Sequence, residues 1–128
     1  MSGFIYLGTC YSHPVERVRQ LRYAAVNDFA ARLLMDGIPV FSPISQSHSI
    51  ADYMEPERRM DHAFWMRADL PLLGAAAGLL VFCMPGWEQS RGLKEEMEFA
   101  AANAIPSHAH GEYSRTIRWC HDQLVGSP

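Results

Sequence analysis

Three glutamates crowd one short segment, Glu95, Glu96 and Glu98, and carboxylates are the groups that attack or protonate sugars and other glycosidic centres. Most such runs are simply the solvated face of a helix. A helical wheel separates the three, because Glu96 follows Leu93 by three positions and precedes Ala100 by four, at the border of the apolar stripe. Glu96 is the carboxylate that can turn inward. Asp69 is a second candidate, standing just before Pro71 at an expected helix end, where capping is the competing role. Tyr6 lies in an apolar run, so its hydroxyl needs a partner wherever the ring is buried. Ser90 opens the segment that carries Glu96, and either caps that helix or offers its hydroxyl to an anion at the helix N-terminus.

Other chemistries find less support. The six histidines, His13, His48, His62, His108, His110 and His121, show no HExxH or similar spacing, so no metal site is expected. Gly86 and Gly92 form neither a GxGxxG nor a GxxxxGK[ST] loop, which disfavours a dinucleotide or nucleoside triphosphate fold, and no cofactor is implied. Eleven Lys and Arg are spread through a chain of net charge -3, against a nucleic-acid duplex as partner. Small molecules fit better.

Positioning these groups requires a packed scaffold, and 128 residues with 48% hydrophobic and 20% charged side chains suffice for one globular domain. Residues 3–9 (GFIYLGT) read as a buried strand. A helix should begin at Pro14, carry Val18, Leu21, Ala25, Phe29 and Leu33 on one stripe, and stop at Gly37. Residues 38–41 (IPVF) read as a second strand, and 45–53 (SQSHSIADY), which has no period, as a loop. A second helix should run from Pro56, turn Met60, Phe64 and Trp65 inward, and end near Pro71. Residues 78–84 (GLLVFCM) make the strongest strand, followed by a PGW turn and a helix over 92–103 with Leu93, Met97 and Ala100 on one side. The tail 105–111 is poor in strand formers, and 113–124 suits a last helix.

That order predicts an α/β domain: three layers, α/β/α, around a small parallel sheet of flavodoxin or Rossmann-like kind with right-handed crossovers. The eighteen uncharged residues 70–87 then divide into a helix end and a strand rather than a membrane span, given the prolines and glycines inside them. No signal pattern opens the chain, and three cysteines without CxxC spacing fit reduced thiols, so a cytoplasmic protein is expected. Ligands of open parallel sheets bind beyond the carboxyl ends of the strands. Three segments converge there, 8–13, 42–48 and 85–92, which makes Gly8, Ser12, His13, Ser42, His48, Trp87, Ser90 and Gly92 candidate binding residues.

The spacing of Ser90, Gly92, Glu96 and Ala100 resembles the S-x-G-x-x-x-E-x-x-x-A pattern of the nucleoside 2-deoxyribosyltransferase superfamily. IYLGTCYSHP at 5–14, VFSPISQSH at 40–48, Trp65 through Asp69, and PGWEQS at 85–90 follow in that family's order, and the likeness covers about residues 4–106. It is similar to a small bacterial and phage branch of uncharacterised function. The resemblance implies cleavage of an N-glycosidic bond, with Glu96 attacking the anomeric carbon, Asp69 contacting or protonating the base and Tyr6 orienting Glu96. Burial against Trp65 or Trp87 would raise the pKa of the acid. A serine at position 90, where typical transferases carry aspartate, resembles the hydrolases of nucleoside 5′-monophosphates. Those hydrolases place a serine and an arginine after the first strand, whereas this chain has Cys10 and Ser12 there, with His13 or Arg17 as substitutes and Arg91 beside the helix N-terminus, none of them matching the motif.

The expected function is therefore N-glycosidase action on a nucleoside or deoxynucleoside 5′-monophosphate through a covalent glycosyl-glutamate. Deoxyribosyl transfer, a non-catalytic nucleotide-binding module and a purely structural protein are the alternatives. The resemblance also implies a homodimer or larger homo-oligomer with shared sites, in keeping with a chain too short to enclose a reactive sugar alone.

Overall fold

Strand side chains alternate between faces, and the elements of this chain use both. The computed structural model describes residues 3–125. The first half runs β1 (Ile5–Thr9), α1 (Glu16–Met35), β2 (Val40–Phe41), α2 (Pro43–Ala51), α3 (Pro56–Arg59) and α4 (His62–Gly74). The second half runs β3 (Gly78–Phe82), a single 3₁₀ turn at Trp87–Gln89, α5 (Arg91–Ala102), β4 (Ser107–Ala109) and α6 (Tyr113–Val125). All pairings are parallel, in the order β2-β1-β3-β4.

Two cores flank this sheet. Ile5, Leu7 and Leu80 meet Val26, Phe29 and Leu33 of α1 and Cys120 and Leu124 of α6. Tyr6, Leu79 and Val81 meet Leu73 of α4 and Leu93 and Ala100 of α5. The result is a three-layer α/β/α domain of Rossmann-like kind. Each fully buried Leu or Val contributes roughly 1.5–3 kcal/mol by removal from water. Because β2 and β3 flank β1 on opposite sides, the strand order reverses between β1 and β3, and the loops leaving these neighbours part toward opposite faces. A crevice opens where they part.

Several elements differ from the sequence expectation. Residues 45–53 are mostly helix, not loop: Ser42 caps α2 by accepting from Ser45 N–H at 3.4 Å, and Pro43 sits at the first turn, where its missing N–H is no loss. The single helix expected from Pro56 is two, since Asp61 accepts from Phe64 N–H at 3.1 Å and starts α4 afresh. Pro71 does not end α4, which continues to Gly74 and seats Leu73 in the core, offsetting the hydrogen bond lost at the proline.

The weak tail does contain a strand, β4, because pairing with the exposed edge of β3 selects it where propensity does not. On α1, Val26 and Ala30 replace Val18, Leu21 and Ala25 in the core, and Leu21 is exposed. Phe29 stacked on Phe82, centroids 4.5 Å apart, fixes that rotation. Met97 is likewise largely outside, since Glu96 takes the inward position on α5. No helix among the described residues is long and apolar enough to cross a membrane, and residues 70–87 are shared between α4, β3 and the 3₁₀ turn.

Ser42 also accepts from the Ser45 hydroxyl, so it organises the whole entry into α2. Ser42→Ala should cost about 1 kcal/mol in urea unfolding. An unchanged midpoint would show that α2 does not depend on this cap.

Candidate active site

Helix α5 brings Glu96 to the crevice. Ser90 caps its start by accepting from Leu93 N–H at 3.2 Å, and Leu93 and Ala100 anchor the helix on the sheet. Glu96 lies between these anchors and is only 3% exposed. Tyr6, on the same sheet face, donates its hydroxyl hydrogen bond to Glu96 Oε2. Gly8 follows two residues on, where a Cβ would stand 3.0 Å from Leu93 Cδ1, 3.1 Å from Leu79 Cδ1 and 3.6 Å from Glu96 Oε1. The missing side chain lets α5 and its carboxylate approach the strand. Asp69 of α4 is 8% exposed and couples electrostatically to both Tyr6 and Glu96.

Burial dominates the electrostatics. Loss of water pushes the Glu96 carboxyl up to about 8, the negative field of Asp69 adds to the rise, and the Tyr6 hydrogen bond opposes it. Burial pushes Asp69 up to about 6. Tyr6 is raised far above its ordinary value, first by burial and then by the neighbouring acids, so its proton stays on. Two buried carboxyl groups thus share a site with a neutral hydroxyl.

A cavity of about 670 Å³ opens above them, a size suited to a small organic ligand. Glu96, Asp69, Ser12, His48, Ser90 and Gly92 line it, while Tyr6 and Gly8 stand behind Glu96. Besides Gly8, three expected binding residues lie outside the lining. His13 accepts from Val15 N–H at 3.0 Å through Nδ1 and borders a neighbouring hollow. Ser42 is occupied as the α2 cap, and Trp87 packs on the second core. Gly86 before it adopts φ +95°, and a Cβ there would fall 2.5 Å from Arg22 Nη2, so this turn requires glycine. Ser90 also has its hydroxyl engaged as a cap.

Of the other lining residues, Tyr11, Arg19 and Arg59 were not singled out from sequence. Tyr11 bonds His48 Nδ1 through its hydroxyl at 2.6 Å, and the His48 ring stacks on Tyr23 with centroids 3.9 Å apart. His62 Nε2 lies 3.0 Å from Glu95 Oε1, off the line of a hydrogen bond, beside the Arg91–Glu95 pair. Arg19 and Arg59 line the cavity too, whereas Arg17 is exposed and outside it. Trp65 lines it and donates Nε1–H to Arg59 O at 2.8 Å. Charged residues on helices look solvated in sequence, so the arginines carried no signal of their own. Among the described residues, no three His, Cys, Asp or Glu gather to hold a metal ion.

Residues 3–112 match the family described as "Domain of unknown function (DUF1937)", and the chain belongs to that family. No curated protein matches the chain significantly.

The raised Glu96 sets a testable sign. The native state keeps a proton that an unfolded glutamate releases near 4.5, so stabilisation from the protonated form is complete below that pH and lost as pH rises through about 8. Asp69 acts in the same sense up to about 6. Glu96→Gln should therefore melt several degrees above wild type at pH 9, with a smaller difference at pH 5, by calorimetry. A pH-independent difference would contradict this burial effect.

Proposed function

We propose that this domain cleaves the N-glycosidic bond of a nucleoside or nucleotide. The observation that carries the reading is a buried carboxylate, Glu96, held by Tyr6 beside a second acid, Asp69, at the inner wall of a ligand-sized cavity. Its sequence spacing, which resembles the nucleoside 2-deoxyribosyltransferase superfamily, supports the same reading. Ionised Glu96 attacks the anomeric carbon, and the C–N bond breaks as the C–O bond forms. Asp69 gives its proton to the departing base. Water then adds at the same carbon, losing a proton to Asp69 and releasing Glu96. Another base in place of water would give transfer.

With Asp69 near 6 and Glu96 near 8, the pair holds one proton between those values. Burial weighs more on Glu96 than on Asp69, so in the empty site that proton rests mainly on Glu96. Attack becomes favourable as positive charge develops on the sugar. A second copy of the chain belongs to this reading as well, because exposed Ile50 and Tyr53 flank Ala51 and Asp52 of the lining and exposed Met60 is part of it.

A panel of nucleosides and 5′-monophosphates, with free base measured by chromatography, tests the reading. Wild type should release base and Glu96→Gln should lose at least about a thousandfold. Equal release by both proteins, or none by wild type, rejects it. For the wild type, kcat/KM should be bell-shaped with limbs near pH 6 and 8. Tyr6→Phe should lower the maximum and move the alkaline limb upward, because the hydrogen bond that eases Glu96 ionisation is gone. An unmoved limb would limit Tyr6 to packing.

A further inference from the structure

Beyond the paired ends Thr9 and Phe82, the ladder between β1 and β3 stops, and the two chains go on as separate borders of the crevice. Tyr11 and Ser12 belong to one wall of the cavity, and Gln89, Ser90 and the start of α5 to another. Among the described residues, no backbone hydrogen bond joins residues 10–14 to residues 83–90. The spacing of these walls therefore depends on side chains. Carbonyls that leave a ladder also need new donors.

Helix α1 meets both needs. Arg19 and Arg22 stand three residues apart, on one face of the helix, and take three carbonyls in succession. Arg22 Nη1 donates to Tyr11 O at 3.3 Å and to Ser12 O at 3.0 Å, and Arg19 Nη1 donates to His13 O. Arg22 alone reaches the other border as well. A Cβ on Gly86 would fall 2.5 Å from its Nη2 and 3.5 Å from its Cζ, so the guanidinium lies against the left-handed turn after β3. Gly86 O accepts from Gln89 N–H at 3.2 Å and Trp87 O from Ser90 N–H at 3.3 Å, which carries that turn straight into the Ser90 cap of α5. Cys10 adds a weaker tie, its thiol donating to Pro85 O at 3.7 Å. No acid competes for Arg22, which is absent from the ion pairs among the described residues, His62–Glu95, Arg91–Glu95 and Arg115–Glu112.

We infer that Arg22 is a positioning residue, holding the wall after β1 against the turn after β3 and so setting the width of the substrate cavity. It is not part of the lining, and it acts through Tyr11, Ser12 and the start of α5. The planar guanidinium suits this, because one nitrogen can hold the carbonyls while the other rests on the turn. Glu96 is seated separately by Tyr6, Leu93 and Ala100, so loosening the clamp weakens the hold on substrate more than the chemistry. The clamp is read from contacts alone; that the cavity takes a nucleoside or nucleotide rests on the N-glycosidase reading.

Amide NMR spectra of the intact protein test the clamp without turnover. Arg22→Gln should shift Gly86 and Trp87 together with Tyr11 and Ser12, and Gly86→Ala should shift Tyr11 and Ser12 across the crevice. Adding Gly86→Ala to Arg22→Gln should move Tyr11 and Ser12 no further, because the tie is already gone. Where Gly86→Ala fails to fold, Arg22→Gln and Arg22→Lys decide by the same shifts. With a nucleoside or monophosphate that wild type cleaves, Arg22→Gln should raise KM about tenfold while kcat stays within about twofold and the pH limbs stay in place. Arg22→Lys should fall between. Shifts confined to one border, or equal effects of Gly86→Ala with and without Arg22, would overturn the clamp. Base release with KM unchanged in Arg22→Gln would remove the clamp and keep the N-glycosidase reading. Coupled shifts through Arg22 without base release from wild type would keep the clamp and remove that reading.

Discussion

A carboxylate held out of water without a cationic partner is the constraint around which this domain is arranged. Glu96 has one hydrogen bond recorded, from Tyr6, and a second acid nearby that works against its ionisation. In stability terms the position is poor, because a leucine between Leu93 and Ala100 would extend the apolar stripe and remove a group that must stay protonated to be buried comfortably. Such sites are tolerated where a perturbed acid has a task. The neighbours are fitted to it. Gly8 leaves room for the carboxylate, Tyr6 supplies the donor, and Ser90 starts the helix in the right register.

The topology explains why these neighbours can meet. Tyr6 and Gly8 alternate with Leu7 on β1, so they share the face that α5 covers, while Leu7 goes to the opposite core under α1. β1 is flanked by β2 and β3 on its two sides, and no loop from its own carboxyl end needs to cross the crevice to reach a neighbour on that side. Segments after β1, β2 and β3 therefore supply the walls: Tyr11 and Ser12, then Pro43 through Asp52, then Gln89 through Leu93. A buried acid at the sheet centre and polar walls at its edge follow from one strand order.

Much of this was legible in the residues, for specific reasons. The parallel sheet showed in runs such as GLLVF, whose two covered faces demand continuous apolar side chains. Glu96 showed through its place beside Leu93 and Ala100, a signal that depends only on helical spacing. Helix α2 did not show, because SQSHS has no apolar period and its order comes from the Ser42 cap and contacts with α1. β4 was hidden for the opposite reason, since its residues are weak strand formers placed by the edge of β3. Arg19 and Arg59 were the least legible. Their fixation depends on carbonyls at His13, Asp52 and Met54, and nothing in a linear sequence distinguishes an anchored guanidinium from a solvated one.

The same desolvation that makes Glu96 costly in the empty protein is what gives it force under the proposed chemistry. A carboxylate that water has stabilised gains little when a cation forms beside it, since solvent already screens both. One denied water gains much more, because a developing oxocarbenium charge is the partner the fold withholds. Interactions that strengthen only in the transition state are the ones that accelerate a reaction.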